Sequence, residues 1–236
     1  MADLKVYATS PHPCSYLADK EAVTLFLDPN AEVDKSLYSQ LSDIGFRRSG
    51  DNVYRPHCQN CNECQAARID VNKFTPTRSQ KRVIKQNQDL SIEMIDTINT
   101  EECYQLYEQY INQRHADGDM YPASEEQYRS FLSDQWGITR YLAFRLHGEL
   151  IAIAVIDELK SGLAAVYTFY SPTEQRRSLG SLAVLKQIEA AKNSELQYVY
   201  LGYYIEECQK MSYKRHFHPL EVLHDGAWRE LITSNV

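Results

Sequence analysis

The sequence has no hydrophobic run long enough to cross a membrane. No stretch of its 236 residues approaches the roughly 18 consecutive apolar residues that a membrane-spanning helix needs. The segment from Met1 to Tyr16 has no basic region followed by an apolar core, so we expect no secretory signal. Internal repeats and low-complexity linkers are also absent. We therefore expect a globular cytoplasmic protein with one large domain or two small ones and no membrane partner.

An overall excess of positive charge is missing too, because the net charge is −7. This argues against broad, nonspecific binding of nucleic acid. The cations are instead concentrated in two segments that contain no acid, 71–88 and 209–220. Their basic residues are Lys73, Arg78, Lys81, Arg82 and Lys85, and Lys210, Lys214 and Arg215 with His216 and His218. This distribution indicates one specific anionic partner that is held at a defined place.

Cysteine is scarce, with six residues, but three of them form a C-x-x-C-x-x-C run at Cys58, Cys61 and Cys64. That spacing brings three thiolates close enough to bind one soft metal centre. In a reducing compartment, clustered cysteines are metal ligands or redox groups more often than disulfides. The run is either a functional metal or redox element or a zinc-held knuckle that only braces the fold. The isolated Cys103 and Cys208 are expected to pack in the interior.

Apolar periodicity predicts an α/β protein with a boundary near residue 96. A small domain, 1–95, would contain the cysteines and a basic helix, and a second domain would span 96–236. Predicted helices cover 34–44, 77–86, 100–114, 125–134 and 179–192, and predicted strands cover 90–95, 140–146, 150–159, 163–170 and 197–201. Three antiparallel strands, a helix and a further strand are the core order of the N-acetyltransferase (GNAT) type of fold, whose sheet is mostly antiparallel.

The loop 175–180 lies between the third of these strands and the long helix. It resembles, in degenerate form, the glycine loop that binds pyrophosphate in that fold, with one glycine of two present. Backbone N–H groups at a helix N-terminus favour an anion. The alternative is an ordinary helix start with two solvated arginines.

Several sequence blocks, in order along nearly the whole chain, resemble the aminoacyl-tRNA–protein transferases of the arginyltransferase type. The blocks, besides the cysteine run, are RRSG (47–50), YRPHC (54–58), TPTRSQKR (75–82), VYTFYSP (166–172), SLG (178–180), LGYYI (201–205), CQKMSYK (208–214) and FHP (217–219). The short chain is similar to the bacterial branch, the aspartate/glutamate leucyltransferases. The resemblance implies transfer of leucine from leucyl-tRNA to the α-amine of proteins that begin with Asp or Glu, which marks them for degradation by the N-end rule.

The cysteine pattern departs from the eukaryotic members of that family, which carry paired cysteines near the N-terminus and again later. This chain has only Cys14 in its N-terminal part. Cys14 is therefore a candidate fourth ligand beside Cys58, Cys61 and Cys64, for either zinc or an iron–sulfur cluster. No organic cofactor is expected.

Aminoacyl transfer needs little from the protein beyond positioning, because the ester of an aminoacyl-tRNA is already activated. The amine must be neutral and well placed, and the oxyanion must be stabilised. The sequence has no Ser-His-Asp or Cys-His nucleophile motif, and the reaction requires none. Candidates for proton removal, or for holding the acceptor's ammonium group, are His115, Asp117 and Asp119. The alternative is that they form a polar surface loop.

The basic and aromatic residues are the candidate substrate ligands. Arg78, Lys81 and Arg82 are candidates for the acceptor's carboxylate or for tRNA phosphates, and Lys85, Lys210 and Lys214 for phosphates. Five aromatic residues can line the leucine and the terminal adenosine or belong to the core: Tyr167, Phe169, Tyr170, Tyr203 and Tyr204. Two other functions fit parts of the pattern, an acyl-CoA-dependent N-acetyltransferase and a noncatalytic, metal-containing nucleic-acid-binding module.

Overall fold

The computed structural model of the protein describes residues 4–118 and 120–232. Its helices are α1 (Lys35–Asp43), α2 (Arg78–Gln86), α3 (Glu101–Arg114), α4 (Glu125–Leu132), α5 (Leu179–Asn193) and α6 (Gln209–Ser212), with short 3₁₀ helices at Gln175–Arg177 and Tyr213–His216. Its strands are β1 (Val6–Ala8), β2 (His12–Pro13), β3 (Glu21–Ala22), β4 (Thr24–Leu27), β5 (Arg47–Ser49), β6 (Asn52–Pro56), β7 (Gln65–Asp70), β8 (Leu90–Ile95), β9 (Thr139–Leu146), β10 (Glu149–Glu158), β11 (Gly162–Tyr170), β12 (Tyr198–Tyr204), β13 (Leu220–His224) and β14 (Ala227–Glu230).

The main sheet contains eight strands in the order β14-β13-β7-β12-β11-β10-β9-β8. All its neighbours are antiparallel except β11 and β12. The predicted α/β class with a mostly antiparallel sheet is confirmed, as is the order of three antiparallel strands, a helix and a strand in β9, β10, β11, α5 and β12. A second, antiparallel sheet has the order β1-β4-β6-β5.

The main sheet also takes strands from both sides of the expected domain boundary. Strand β8, before residue 96, pairs along its whole length with β9, which lies after it. Strand β7 pairs with both β12 and β13. The segments 1–95 and 96–236 therefore share one hydrogen-bonded sheet. The sequence did not indicate this, because the residue pattern of a strand does not reveal which strand it pairs with.

The central strand β10 shows how the core is built on both faces of this sheet. Ala152, Ala154 and Ile156 belong to the cluster that packs under α5, whereas Ile153 and Val155 belong to the cluster under α3 and α4. Alternate residues of a strand point to opposite faces, so both faces are buried. The helices that cover them begin at side-chain caps, among them Thr100 for α3 and Ser124 for α4.

A gap opens between β11 and β12. Their parallel pairing covers only Gly162–Ala164 against Tyr198–Tyr200, although β11 continues to Tyr170 and β12 to Tyr204. The strands therefore separate toward their C-terminal ends, next to the start of α5. Among the described residues, no helix has the length and apolar character needed to cross a membrane.

Candidate active site

An aromatic group at the ends of α3 and β11 forms the centre of the candidate site. The Tyr110 ring lies 4.9 Å from that of Tyr170, 6.3 Å from that of Tyr167 and 4.8 Å from that of His115, measured between centroids. The guanidinium carbon of Arg114 lies 5.3 Å from the Tyr170 centroid. Three predicted site residues, Tyr167, Tyr170 and His115, thus meet around Tyr110, which was not a predicted site residue.

The loop after α3 carries the predicted proton acceptors. The Nζ of Lys210, from the C-terminal part of the chain, lies 3.2 Å from Oδ2 of the exposed Asp117. Burial, then Lys210 and Arg114, lower the pKa of His115, so its imidazole is neutral at pH 7 and can accept a proton. The hydrogen bond from Lys210 lowers the pKa of Asp117, which is therefore an anion suited to an ammonium group. Asp119 lies outside the described residues.

The predicted basic helix is α2, which begins with a capping box between Thr77 and Gln80. Gln80 Nε2 donates to the carbonyl oxygen of His216 at 3.0 Å, and Gln86 Nε2 donates to that of Arg176 at 2.9 Å. These bonds hold α2 beside both the 213–216 segment and the 175–180 loop. Its cations are exposed, and within residues 4–118 and 120–232 none forms an ion pair. They are Arg78, Lys81, Arg82 and Lys85.

The 175–180 loop meets the aromatic group at the N-terminus of α5. Arg177 is engaged by Asp89 at 2.9 Å and Glu174 at 2.8 Å, whereas Arg176 is exposed. Ser178, the N-cap residue, has a φ of 53° and makes no side-chain capping bond in the described structure. A Cβ at Gly180 would lie 3.6 Å from the Tyr170 ring. The N–H groups of α5 therefore start next to Tyr170. Of the loop's two arginines, Arg176 alone forms no ion pair with any described residue.

Two predicted aromatic ligands belong to the core instead. Phe169 is fully buried, with ring centroids 5.6 Å from Tyr107 and 6.2 Å from Tyr128. Tyr204, 3% exposed, packs in the cluster under α5. Interior strands between two helix layers bury both their faces, so neither side chain reaches a substrate surface.

Tyr203 and Lys214 are also buried, but they contact polar groups. The Tyr203 hydroxyl donates to the carbonyl oxygens of Gly45 at 2.9 Å and Tyr54 at 3.2 Å. Lys214 Nζ donates to the carbonyl oxygen of Tyr203, and burial lowers the pKa of Lys214 to about 8. Two C-terminal lysines were predicted to bind phosphate, and of these Lys210 is exposed and Lys214 is buried. Lys214 is therefore not on the surface that tRNA phosphates would contact.

The four predicted metal ligands line one cavity of about 690 Å³. Cys14, Cys58, Cys61 and Cys64 surround it, together with side chains that include Tyr54 and Tyr203. All four thiols are free, and Cys103 and Cys208 are buried, as expected. Burial, then the charges of the three neighbouring thiols, raise the pKa of Cys64 to about 12.

Four thiols on one cavity are a suitable donor set for a soft cation, which would offset the repulsion between thiolates. As the side chains stand, no group of three or more His, Cys, Asp or Glu residues in the described ranges is arranged to hold a metal ion. Binding would therefore require the thiols to move closer together.

Sequence comparison identifies the family. A model of the arginine-tRNA-protein transferase N terminus matches residues 12–82, and a model of its C terminus matches residues 102–224. This chain belongs to the arginine-tRNA-protein transferase family.

Curated relatives match over nearly the full length. The chain is 55% identical to the aspartate/glutamate leucyltransferase of Teredinibacter turnerae, covering 100% of this chain and 98% of the relative. It is 54% identical to the protein of the same name from Saccharophagus degradans, with 98% of each chain covered. The Marinobacter nauticus leucyltransferase is 51% identical, covering 98% of this chain and 97% of that one.

Solved structures show weaker similarity. L-PGS from Bacillus licheniformis matches 80% of this chain and 70% of its own with a TM-score of 0.47 and 11% identity. A glucosamine N-acetyltransferase region of a fungal multi-domain β-N-acetylglucosaminidase matches 78% of this chain and 21% of that one, with a TM-score of 0.44 and 10% identity.

Proposed function

We propose that this protein transfers leucine from leucyl-tRNA to the α-amine of proteins that begin with Asp or Glu. The observation that carries this function is the 51–55% identity, over nearly the whole chain, to relatives named aspartate/glutamate leucyltransferase. The site suits an aminoacyltransferase, since exposed cations, aromatic rings and a neutral imidazole adjoin one another. The product is marked for N-end rule degradation, and the reaction takes place in the cytoplasm, where charged tRNA is made.

In the proposed reaction each group has its own part. The cations of α2 bind tRNA phosphates, and the aromatic group around Tyr110 and Tyr170 holds the leucyl ester. His115 takes a proton from the acceptor's α-ammonium, whose nitrogen then attacks the ester carbonyl carbon. That first proton is released to solvent, and His115 takes a second proton from the nitrogen of the tetrahedral intermediate. The bond from the carbonyl carbon to the ribose oxygen then breaks, and the second proton passes to the leaving oxygen. Positioning and electrostatics supply most of the acceleration.

Mass spectrometry of peptide products tests this function. Purified protein is given peptides that begin with Asp, Glu, Asn or Lys, together with leucyl-tRNA, arginyl-tRNA or acetyl-CoA. We expect a mass gain of one leucine, only with leucyl-tRNA and mainly on the Asp and Glu peptides. An arginine adduct would contradict the leucine donor. An acetyl adduct would favour the acyl-CoA-dependent reaction instead, and no adduct at all would favour a binding module.

We also propose that Cys14, Cys58, Cys61 and Cys64 hold zinc or an iron–sulfur cluster. The support is that all four free thiols line one cavity. Bound there, the metal would join the Cys14 segment to the 58–64 segment, and no step of the transfer uses it. Elemental analysis of anaerobically purified protein should find about one zinc, or several irons, per chain. Cys58→Ser should lower the content and Cys103→Ala should not; equal content in both variants would contradict the assignment.

A further inference from the structure

Arg47 is a buried guanidinium that pairs with no carboxylate of the described residues. Its side chain donates to the carbonyl oxygens of Phe46 at 3.2 Å and Ala67 at 3.5 Å, and in the described part of the chain Nε has no hydrogen-bond partner. Within the described part of the chain no acidic group forms an ion pair with it. The neighbouring Arg48, by contrast, is fully paired with Asp157. The guanidinium carbon lies 5.2 Å from the centroid of the Tyr200 ring, a contact that does not neutralise the charge. Burying a charge without a counter-ion is costly.

Lys214 is a second buried cation in the same environment. It is 6% exposed, as is Arg47, and its single hydrogen bond goes to the carbonyl oxygen of Tyr203. No ion pair to Lys214 occurs among residues 4–118 and 120–232. After burial, the charge of Arg47 is the next cause that lowers the pKa of Lys214, so the two cations repel each other. An anion between them would relieve both costs.

Unused donors are available for such an anion. An ammonium group has three N–H bonds, of which Lys214 uses one, and the Nε–H of Arg47 is free. The donors that a carboxylate needs are therefore present on both residues, which lie behind the cavity lining and not on it. Charge-assisted bonds of this kind are among the strongest in proteins.

Tyr54 and Tyr203 connect this cation pair with the cysteine-lined cavity. Arg47 and Tyr54 are directly paired across β5 and β6, so their side chains share one face of the sheet. The ring centroids of Tyr54 and Tyr203 lie 6.1 Å apart, and both residues line the cavity. The formal charges in the remaining lining balance, with Lys20 and Arg55 against Glu21 and Asp225. The attraction for an anion therefore comes from Arg47 and Lys214 themselves, behind Tyr54 and Tyr203.

We propose that Arg47 and Lys214 select the acceptor by binding the carboxylate of its first residue, Asp or Glu, which reaches them from the cavity past Tyr54 and Tyr203. This inference rests on the proposed function, because it takes the acidic acceptor from it. It gives these two residues the role for which the sequence pattern offered Arg78, Lys81 and Arg82, and it leaves the cations of α2 to the tRNA.

Binding of unreacted peptides, measured by calorimetry without tRNA, tests the pair separately from catalysis. Peptides that begin with Asp or Asn differ only in the charge of the first side chain. We expect the wild-type protein to prefer the Asp peptide at least tenfold. The preference should fall to near unity in Arg47→Gln and in Lys214→Gln, and Lys214→Arg should restore part of it. The matched control is Lys35→Gln, an exposed lysine on α1 that lies outside the proposed site, which should keep the preference.

A second measurement uses the wild-type protein, so its result does not depend on whether a variant folds. Carbodiimide coupling of the bound Asp peptide to the wild-type protein should form an amide between the peptide's carboxylate and Lys214 Nζ, located by mass spectrometry. Unchanged Asp preference in the folded Gln variants, or coupling only at other lysines, would overturn the proposal. Peptide selection by these residues without leucine transfer would refute the proposed function alone. Leucine transfer by the wild-type protein, with the preference for the Asp peptide unchanged in Arg47→Gln and Lys214→Gln, would refute this inference alone.

Discussion

Arg48 donates from Nε and Nη2 to the two carboxylate oxygens of Asp157, at 2.5 Å and 2.8 Å, and neither side chain is exposed. Arg48 belongs to β5 of the smaller sheet and Asp157 to β10 of the main sheet. The hydroxyl of Thr139 also donates to Asp157, at 2.8 Å. This pair therefore joins the two sheets through a network whose charges are fully desolvated.

Breaking the pair from one side should be strongly destabilising, because it leaves a buried charge without a partner. We expect Asp157→Asn to lower the free energy of unfolding by about 3–5 kcal/mol, measured by urea denaturation. The adjacent Glu158→Gln is the control, since among the described residues Glu158 pairs only with the exposed Lys35 at 3.5 Å and the partly exposed Arg140 at 3.4 Å. Its cost should stay below about 1 kcal/mol. Equal losses in the two variants would contradict this account.

Gly162 marks the point where β11 and β12 meet before they separate. A Cβ there would press on the carbonyl group of Tyr198, with the carbonyl carbon 3.0 Å away. We expect Gly162→Ala to lower the free energy of unfolding by up to about 3 kcal/mol, by overpacking and by weakening the parallel pairing. Gly226→Ala is the control: φ is 73° and nothing lies within 4 Å of the added Cβ. That variant should show only left-handed strain, about 1 kcal/mol. A larger loss for Gly226 would contradict the steric argument.

The pH dependence of transfer tests His115 as the proton acceptor. The neutral imidazole is the active form, so kcat/KM should fall as the pH drops through a pKa below the ordinary histidine value. Lys210→Met removes a neighbouring cation that lowers the pKa of His115. The same change frees Asp117, whose negative charge raises the pKa of His115. The acidic limb of the profile should therefore move to higher pH. His115→Ala should reduce kcat by roughly 10²–10⁴-fold.

The control for this shift is Lys186→Met, whose lysine pairs with Glu189 on α5 at 2.7 Å. Its acidic limb should stay in place. If the acidic limb of the pH profile also stays in place in Lys210→Met, a group other than His115 removes the proton.

The salt dependence of tRNA binding tests the basic helix. Lys85→Ala and Arg78→Ala should each weaken leucyl-tRNA binding and reduce the slope of log K against log salt by roughly one. Lys35→Ala, an exposed lysine on α1, should leave the slope unchanged. If Arg78 binds the acceptor's carboxylate instead, its loss will leave tRNA affinity alone and raise KM for the acidic peptide, at a cost of about 1.5–3 kcal/mol. If neither tRNA binding nor the KM for the acidic peptide changes, α2 is only a solvated surface.

Much of the local structure follows from the sequence because its causes are local. The caps at Thr77, Thr100 and Ser124 and the alternating pattern of β8 are readable within a few residues. The blocks shared with the transferase family also lie in the sequence, and they indicate the reaction before any contact is known. Strand partners are different, since hydrogen bonding across β7, β8 and β12 joins residues that are far apart in the chain.

The candidate site depends on such distant contacts. The sequence identified Lys210 and Asp117 as charged residues, but only folding places them 3.2 Å apart. Lys214 and Phe169 looked like surface ligands because composition gives a residue's chemistry and not its depth, and the helix layers over the sheet bury both. Arg47 and Arg48 are adjacent in sequence, yet one has a carboxylate partner and the other none within the described residues. The sequence by itself determined the family, the local elements and the available charges; which of those charges are paired, buried or free was decided by the packing of strands and helices that meet only in the folded chain.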